Sequence, residues 1–423
     1  MSRIKTNGNS APATRPGLVA ALDVGSSKIA CIIGRADSTG LKVLGSAVHE
    51  SRGIKSGAVT SLELAEESIR EAVDRAEQLA DHRIQDVILS VQCGQPRSLT
   101  ARAERVLGGA LVTDAHLRDI IAEGKRNCRA EGCETIQASP ASYVIDQSRG
   151  VRDPRGMFCE RLGVTVHAVA VPAGPLHNLR LAVERCHLTI ARQLCAPYAS
   201  ALSTLAPDET SLGATLIDFG AGVTAVAVFM EGALIHVDSI PLGGAHITSD
   251  IAKMFSTPLG AAERIKSLYG STLGDTESGT DMIEVPQIGE EGEESNQRIK
   301  RSLLTRVIQS RMEEILTHVR DRLRATGFDV AAGRRAVLTG GGCQLAGARE
   351  LTERVLNKKA RIARPTAFPG LAAANAGPAY STALGLLIAG ATTAPEVLDP
   401  NAHAETRQGK RGLARLFGAS LFG

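Results

Sequence analysis

The sequence lacks a strong excess of charge of one sign. Lysine and arginine together number 48, aspartate and glutamate number 45, and the formal net charge is +3 at pH 7. A protein that attracts nucleic acid through its overall electrostatic field needs a much larger positive excess. The composition therefore predicts no nucleic-acid partner, and any argument from charge must be local.

Metal-binding cysteine pairs and long apolar runs are also missing. The cysteines form no CxxC pair, and several lie inside apolar runs, as reduced buried thiols do; they are Cys31, Cys93, Cys128, Cys133, Cys159, Cys186, Cys195 and Cys343. This argues against a disulfide framework and a cysteine-ligated metal, and it favours the cytoplasm. No run of about 18 apolar residues occurs and the N-terminal segment has no signal-peptide core, so we expect no membrane-spanning helix.

The chain is long enough for two or three domains with full cores, since it has 423 residues of which 43% are hydrophobic. Gly and Ser turns separate three apolar segments after residue 17, which predicts a meander of three strands, and the period of residues 61–81 predicts a helix. The predicted chain begins with a disordered leader at 1–16 and a first lobe at 17–96 and 179–212, which is interrupted by an inserted α+β subdomain at 97–178 with a helix beginning at Thr113 or Asp114. A second lobe at 213–244 and 333–390 is interrupted by a helical subdomain at 245–332 around a polar acidic loop at 271–297. A linker at 391–409 and an amphipathic helix at 410–423 follow.

An internal duplication is the most informative feature of the sequence. The segment LVAALDVGSSKIACIIGR overlays on ATLIDFGAGVTAVAVFME with Asp23 on Asp218 and Gly25 on Gly220. Each segment has the pattern of a strand, an acidic residue with glycines, and a second strand. The repeat predicts two equivalent lobes, each built on a hairpin with an Asp-x-Gly turn.

The chemistry of these turns suits phosphate. A tight hairpin can aim its backbone N–H groups at phosphate oxygens, and glycine is needed because a Cβ would block the approach. Asp23 and Asp218 repel phosphate directly, so we expect them to hold a hydrated Mg²⁺ between the two loops. Either turn alone is compatible with an ordinary hairpin. The pair, followed by a third glycine loop at 338–342 between a strand and a helix, favours a two-lobed nucleotide clamp.

These motifs resemble those of the superfamily of actin, heat-shock chaperones and sugar kinases. Closer still, LDVGSSKIACIIGR, PLGGAHITSDIAKMFSTPLGAAERIKSLYG and LTGGGCQLAGARELTERVL are similar to the bacterial cell-division actin family FtsA. The resemblance covers residues 18–390 and the C-terminal tip. It implies an α/β fold of the actin-like, ribonuclease H-like type, duplicated into two lobes, with an inserted subdomain where 97–178 lies.

The resemblance also implies an ATP site with Mg²⁺. It assigns the β and γ phosphates to Gly25, Ser26, Ser27, Lys28, Gly220, Gly222 and Thr224, the metal to Asp23 and Asp218, the ribose and adenine to Glu263 and Lys266, and the adenosine face to Gly340, Gly341 and Gly342. For Glu263 and Lys266 a solvated helix face is an equally good explanation of their spacing.

Two departures from the family pattern bear on hydrolysis. The second loop continues Gly222, Val223, Thr224, Ala225 without the acidic residue that is usual in the family, and Ala196 replaces a polar residue before the Pro-x-Ala-Ser-Ala segment. Phosphoryl transfer to water requires an oriented nucleophile. We therefore expect an ATP-binding protein with weak or absent ATPase activity.

The last residues have the pattern of an interfacial membrane helix. Four apolar side chains share one helical face, two arginines project from the other and a lysine stands at the edge; they are Leu413, Leu416, Phe417, Leu421, Arg411, Arg415 and Lys410. Phe422 falls off the apolar face. A helix that docks on its own domain is the alternative, but the polar linker before it favours attachment to an anionic membrane surface.

The resemblance implies division partners and leaves two other functions open. Members of the family tether the tubulin-like protein FtsZ by its C-terminal peptide, and the basic run that includes Lys300 and Arg301 lies where that contact is expected; a solvated helix start is the alternative. The predicted function is a filament-forming scaffold that self-associates, tethers FtsZ to the inner face of the cell membrane at the division site and recruits later division proteins. An ATP-dependent small-molecule kinase and a pilus-assembly actin relative are the alternatives.

Overall fold

The structure is a computed structural model that describes residues 17–274, 281–289 and 296–392. The predicted leader at 1–16, nearly all of the linker and the helix at 410–423 lie outside these residues. Within them, no helix is both long enough and apolar enough to cross a membrane.

Strands and helices alternate along the described chain. The strands are β1 (Gly17–Val24), β2 (Lys28–Asp37), β3 (Gly40–Glu50), β4 (Ile54–Lys55), β5 (Ala58–Val59), β6 (Asp86–Val91), β7 (Arg97–Leu111), β8 (Cys133–Ile145), β9 (Ser148–Val151), β10 (Phe158–Pro172), β11 (Thr189–Cys195), β12 (Ala214–Phe219), β13 (Thr224–Met230), β14 (Ala233–Ile240), β15 (Met282–Val285), β16 (Gln297–Lys300), β17 (Arg335–Thr339) and β18 (Lys359–Ile362). The helices are α1 (Leu62–Ala80), α2 (Asp114–Asn127), α3 (Ala173–Glu184), α4 (Ala196–Thr204), α5 (Pro207–Leu212), α6 (Gly244–Phe255), α7 (Leu259–Tyr269), α8 (Arg301–Ala325), α9 (Phe328–Ala331), α10 (Ala348–Leu356) and α11 (Ser381–Ala391).

Two sheets of the same topology form the two lobes. The first has the order β11-β6-β1-β2-β3 and the second the order β14-β13-β12-β17-β18. In each, the first strand of the hairpin pairs antiparallel with the second and parallel with the strand on its other side. Asp23 pairs with Ala30 and Asp218 pairs with Ala225, one position before the end of each first strand. The predicted duplication is confirmed down to the register of its two aspartates.

The insertion is a separate sheet in the order β7-β10-β8-β9, covered by α2. Thr113 begins α2 as its N-cap and accepts a hydrogen bond from the His116 N–H, as predicted. The sheet ends at Pro172, and the next helix, α3, packs its apolar side into the core of the first lobe beside α1. By packing, the insertion therefore ends near residue 172, while the predicted boundary at 178 falls inside α3.

Helices α4 and α11 cross between the lobes. Helix α4 follows the last strand of the first sheet and contacts β12 and β13 of the second, whereas α11, near the end of the described chain, contacts β1, β2 and β6 of the first. Small residues allow the two helices to meet, because a Cβ on Gly385 would overlap the Ala199 carbonyl. The Arg192 guanidinium donates to the Ala389 carbonyl at 3.2 Å at the same junction.

The helical subdomain packs α6, α7 and α8 around an apolar core that includes Ile247, Ile308 and Met312. Strand β15 lies in the predicted loop at 271–297 and pairs antiparallel with β16, which begins at the last residue of that loop; the sequence analysis missed both strands. The inward residues of this hairpin are Ile283, Val285 and Ile299. Four-residue strands show too few alternations for the pattern to be recognised in a polar segment.

The crossing of α4 and α11 predicts the effect of a single methyl group. Gly385→Ala should lower the free energy of unfolding by about 1–3 kcal/mol or more, because the added Cβ would overlap the Ala199 backbone. Gly260→Ala in α7 is the matched control, since nothing lies within 4 Å of the point where its Cβ would stand and alanine favours a helix. Urea unfolding measures both variants. Equal stability of Gly385→Ala and the parent would contradict the close crossing.

Candidate functional site

A cleft of about 530 Å³ lies between the lobes at the ends of β1, β12 and β17. Nearly every residue predicted for nucleotide or metal lines it: Asp23, Gly25, Ser26, Ser27, Lys28, Asp218, Gly220, Gly222, Glu263, Lys266, Gly340, Gly341 and Gly342. These residues come from separate segments of the chain, which only the two-lobed fold brings to one place.

The two Asp-x-Gly turns have the same backbone geometry. The Gly25 N–H donates to the Lys28 carbonyl at 3.1 Å, and the Gly220 N–H donates to the Val223 carbonyl at 3.0 Å. A Cβ on Gly25 or Gly220 would approach that carbonyl oxygen to 2.9 or 2.6 Å, so glycine is required at both positions. The duplication in the sequence is thus a duplication of one turn, presented from both sides of the cleft.

The first turn is fixed by a neighbouring hairpin. Ser26 Oγ accepts a hydrogen bond of 2.9 Å from the Gly57 N–H, which lies in the turn between β4 and β5. Across the cleft, a Cβ on Gly222 would lie 2.5 Å from Ser26 Oγ and 3.0 Å from the Cα of Ser56. The two lobes therefore approach one another closely at Gly222, with no room there for a side chain.

The two aspartates lie on the floor of the cleft and are held by hydroxyl groups. Ser90 Oγ donates to Asp23 Oδ1 at 2.7 Å. Asp218 Oδ2 accepts from Ser200 Oγ of α4 at 2.5 Å and from Thr382 Oγ1 of α11 at 3.2 Å. Burial raises the pKa of Asp23 to about 6, to which the nearby charge of Asp218 contributes. Burial also raises the pKa of Asp218.

Lys28 is a cation close to this pair. Its Nζ lies 3.4 Å from the centre of the Tyr380 ring, a cation–π contact. Burial lowers the pKa of Lys28 to about 8, although the charges of Asp23 and Asp218 act in the opposite direction. The pKa values of all three groups therefore show that burial in the cleft works against their charges, which is usual in a site built for a charged ligand.

The third loop closes the cleft against the second aspartate. Gly340 has a φ of +83°, and a Cβ there would overlap Asp218 Oδ1. Gly342 lies as closely against the Phe219 ring. The run of glycines thus lets the turn after β17 pack directly on the end of β12.

Glu263 and Lys266 belong to a hydrogen-bonded cluster and not to a solvated helix face. Lys266 is buried and its Nζ donates to Glu263 Oε2 at 2.6 Å, to Thr248 Oγ1 at 2.8 Å and to the Gly244 carbonyl at 3.1 Å. Glu263 remains half-exposed and lines the cleft. The cluster joins α7 to the first turn of α6.

Thr224 is the predicted phosphate contact that does not line the cleft in this structure. Its side chain is fully buried, its hydroxyl donates to the Leu242 carbonyl at 2.8 Å, and it does not line the cleft. As the first residue of β13, it fastens the second turn from behind. Lys300 and Arg301 lie outside the cleft, at the junction of β16 and α8.

Several site residues could not be found from spacing. Ser90, Ser200, Thr382 and Tyr380 hold or contact Asp23, Asp218 and Lys28, yet all are distant in sequence from the groups that they contact. Ser200 alone carried a signal, since it belongs to the Pro-x-Ala-Ser-Ala segment.

The donor set fits a magnesium nucleotide. In the described chain no cluster of three His, Cys, Asp or Glu residues could hold a metal by itself. Mg²⁺ is usually bound by one or two carboxylates together with phosphate oxygens and water, which two aspartates beside glycine turns can accommodate. The cleft volume lies in the range of small-molecule sites.

The equivalent sheets, the crossing helices and the cleft between the lobes define an actin-like protein. The family model "Cell division protein FtsA" matches residues 215–385, and the model "SHS2 domain inserted in FTSA" matches residues 93–170. The chain is 39% identical over 401 residues to the cell division protein FtsA of Agrobacterium fabrum, covering 92% of this chain and 89% of that protein. It is 32% identical over 388 residues to FtsA of Escherichia coli, with 89% and 90% covered. The chain belongs to the FtsA family of bacterial cell division proteins.

Solved structures agree on the fold. The PilM–PilN type IV pilus biogenesis complex matches with a TM-score of 0.61 at 16% identity, covering 88% of this chain and 98% of that chain. MreB5 of Spiroplasma citri bound to ADP matches with a TM-score of 0.53 at 12% identity, covering 88% and 95%. At these identities the likeness extends to fold only. The family assignment favours the cell-division hypothesis over the kinase and the pilus-assembly relative.

The raised pKa of Asp23 predicts a more stable variant. The folded value of about 6 exceeds the ordinary 3.8, so the contribution of Asp23 to stability is present at low pH and is lost as pH rises through about 6. Asp23→Asn should therefore raise the free energy of unfolding of the ligand-free protein at pH 7.5 by about 1–3 kcal/mol. The gain should shrink between pH 7 and pH 5.

Denaturant unfolding at several pH values, without nucleotide or Mg²⁺, measures this effect. Asp86→Asn, at an exposed position at the start of β6, serves as the control and should change stability little. A variant at Asp23 that is less stable than the parent at every pH would show that the carboxylate is not under electrostatic stress.

Proposed function

We propose that this protein binds MgATP in the cleft and serves as a filament-forming scaffold that attaches FtsZ to the inner face of the cell membrane during division. One observation carries the nucleotide part of the proposal. Two identical glycine turns, each following an aspartate, face one another across a cleft that also contains Lys28.

The phosphates would lie between the two turns. Backbone N–H groups of the first and second turns, the hydroxyls of Ser26 and Ser27, and the Lys28 ammonium would contact the β and γ phosphates. Asp23 and Asp218 would hold Mg²⁺, which when bound neutralises phosphate charge. A cation beside these carboxylates favours their ionised form, so binding would relieve the stress that raises their pKa.

The nucleoside would lie towards α7 and the third glycine turn. Glu263 is half-exposed, lines the cleft and is oriented by the Lys266 ammonium, which suits a hydrogen bond from ribose hydroxyls to the carboxylate. The backbone of Gly341 and Gly342 would provide a flat surface for adenosine. Leu345 lines the same end of the cleft and adds an apolar contact.

We infer that hydrolysis is weak or absent. Ala196, the first residue of α4, is buried and has no polar group with which to orient an attacking water. The hydroxyls of Ser90 and Ser200 donate to the two aspartates and are used for positioning. The nucleotide would then act chiefly by holding the lobes together, and a scaffold needs no more than this.

The surface proposed for the FtsZ C-terminal peptide combines basic and apolar groups. Lys300 pairs in register with Met282, whose side chain is half-exposed, and Arg301 begins α8. The Arg301 guanidinium lies 3.8 Å from Asp281 Oδ2, a distance that leaves it available to a stronger acidic partner. Leu303, also exposed, follows two residues later. An acidic and apolar peptide matches this composition.

Membrane attachment would use residues 410–423. A short amphipathic helix binds lipid weakly on its own, so self-association into a polymer would strengthen attachment by presenting many helices at once. The inserted subdomain offers a separate surface for later division proteins.

Gly222→Ala tests the nucleotide proposal. The added methyl group would meet Ser26 Oγ at 2.5 Å across the cleft and keep the lobes apart, so we expect the Kd for MgATP to rise at least about tenfold in a chain that is less stable but still folded. Calorimetric titration and thermal unfolding measure the two quantities, with Gly260→Ala as control. An unchanged Kd would contradict the proposed site.

Co-sedimentation of FtsZ with liposomes that contain anionic lipid tests the tether. The full chain with MgATP should bring FtsZ into the pellet, and a chain ending at residue 409 should leave both proteins in solution. Arg301→Glu should itself pellet but recover FtsZ several-fold less, whereas Arg324→Glu, near the exposed end of α8, should behave like the parent. Pelleting of the shortened chain would refute the role of the terminal helix, and normal FtsZ recovery with Arg301→Glu would refute the peptide surface.

A further inference from the structure

A second cavity, of about 550 Å³, lies where the first lobe, the insertion and the second lobe meet. Its wall includes Gln95 in the connection from the first lobe, Arg97 and Ser98 of β7, His236 and Asp238 of β14, and Arg322 of α8. None of its lining residues lines the cleft between the lobes. It is a separate cavity of small-ligand size.

The walls of this cavity carry available cationic hydrogen-bond donors. The Arg97 side chain is exposed and forms no hydrogen bond or ion pair with the part of the chain that the structure describes. Arg322 donates through Nη1 to Asp238 Oδ1 at 2.7 Å. A guanidinium has five N–H groups, so Arg322 retains donors for a ligand. Its ion pair with Asp238 also neutralises the negative charge of the one carboxylate that lines the cavity.

The polar groups at the back of the cavity are held in place by hydrogen bonds and packing. Ser98 Oγ accepts from the Val237 N–H at 2.6 Å and lies 2.9 Å from His167 Nε2, so the insertion is bonded directly to β14. His236 is more than nine-tenths buried, stacks on the Phe328 ring, and its Nε2 has no hydrogen-bond partner among the described residues. An unpaired buried nitrogen costs free energy, and an ordered water or a bound ion is one way in which proteins satisfy such a group.

We propose that this cavity binds a small multivalent anion bearing phosphate or carboxylate groups. Arg97 and Arg322 would supply N–H donors, and the buried ring of His236 would form part of the back wall. Because Arg97 belongs to the insertion and Arg322 to α8 of the helical subdomain, one anion held by both would fasten the insertion to that subdomain. The cavity would thus be a regulatory site that sets how firmly the insertion is docked.

The absence of tryptophan from the chain makes a local reporter available. Phe328→Trp would place a single tryptophan against His236, and its emission should change saturably on titration with inorganic phosphate or with citrate, compared with sodium chloride at equal ionic strength. Arg97→Gln and Arg322→Gln, in the same background, should weaken the response at least about tenfold, because each removes charge-assisted hydrogen bonds. Arg102→Gln, at an exposed position farther along β7, should leave it within about twofold.

Two further measurements separate the outcomes. Calorimetric titration of the protein without the tryptophan checks that the reporter did not create the site. Lys28→Gln, which removes a cation of the cleft without adding a group between the lobes, checks that the signal does not arise in the cleft. Stronger binding of phosphate than citrate, or the reverse, assigns the chemical group. A response that chloride reproduces, that Arg97→Gln leaves unchanged, or that Lys28→Gln abolishes would overturn the proposal.

Discussion

The interaction on which the rest of this structure depends is the pair of hydrogen bonds that Asp218 accepts from Ser200 and Thr382. Ser200 belongs to α4 and Thr382 to α11, the two helices that cross between the lobes. Their hydroxyls also lie 2.8 Å apart. One carboxylate therefore joins the floor of the cleft to both connections between the lobes, and any change in its charge or ligands acts directly on the crossing.

This arrangement explains why the lobes are interdependent. Gly385 has no side chain and packs directly on the Ala199 backbone, so α4 and α11 cannot slide past one another without loss of contact. At the other end of the cleft, Gly222 lies so close to Ser26 that a Cβ would not fit between them. Small residues are therefore required at both of these close contacts between the lobes.

Much of this architecture could be predicted from the sequence, because the duplication is local and periodic. The overlay of Asp23 on Asp218 predicted two equivalent hairpins, and the sheet order and register confirm them. The side chains that hold the aspartates could not be predicted, since they come from distant elements. The hydrogen bond from the Thr224 hydroxyl to the Leu242 carbonyl could not be predicted either, because the position of Thr224 beside the turn does not reveal it. The β15 and β16 hairpin is too short and too polar at its ends to be recognised.

The contact of the insertion with β14 has a further physical consequence. Strand β14 is the outer strand of the second sheet, and an outer strand exposes unpaired N–H and C=O groups that readily pair with strands of other molecules. Ser98 Oγ accepts a hydrogen bond from the Val237 N–H and donates one to the Val237 carbonyl. Buried apolar residues of the insertion such as Val169 cover the adjoining side chains. The insertion is therefore also a shield, which keeps an open sheet edge from uncontrolled strand addition between molecules.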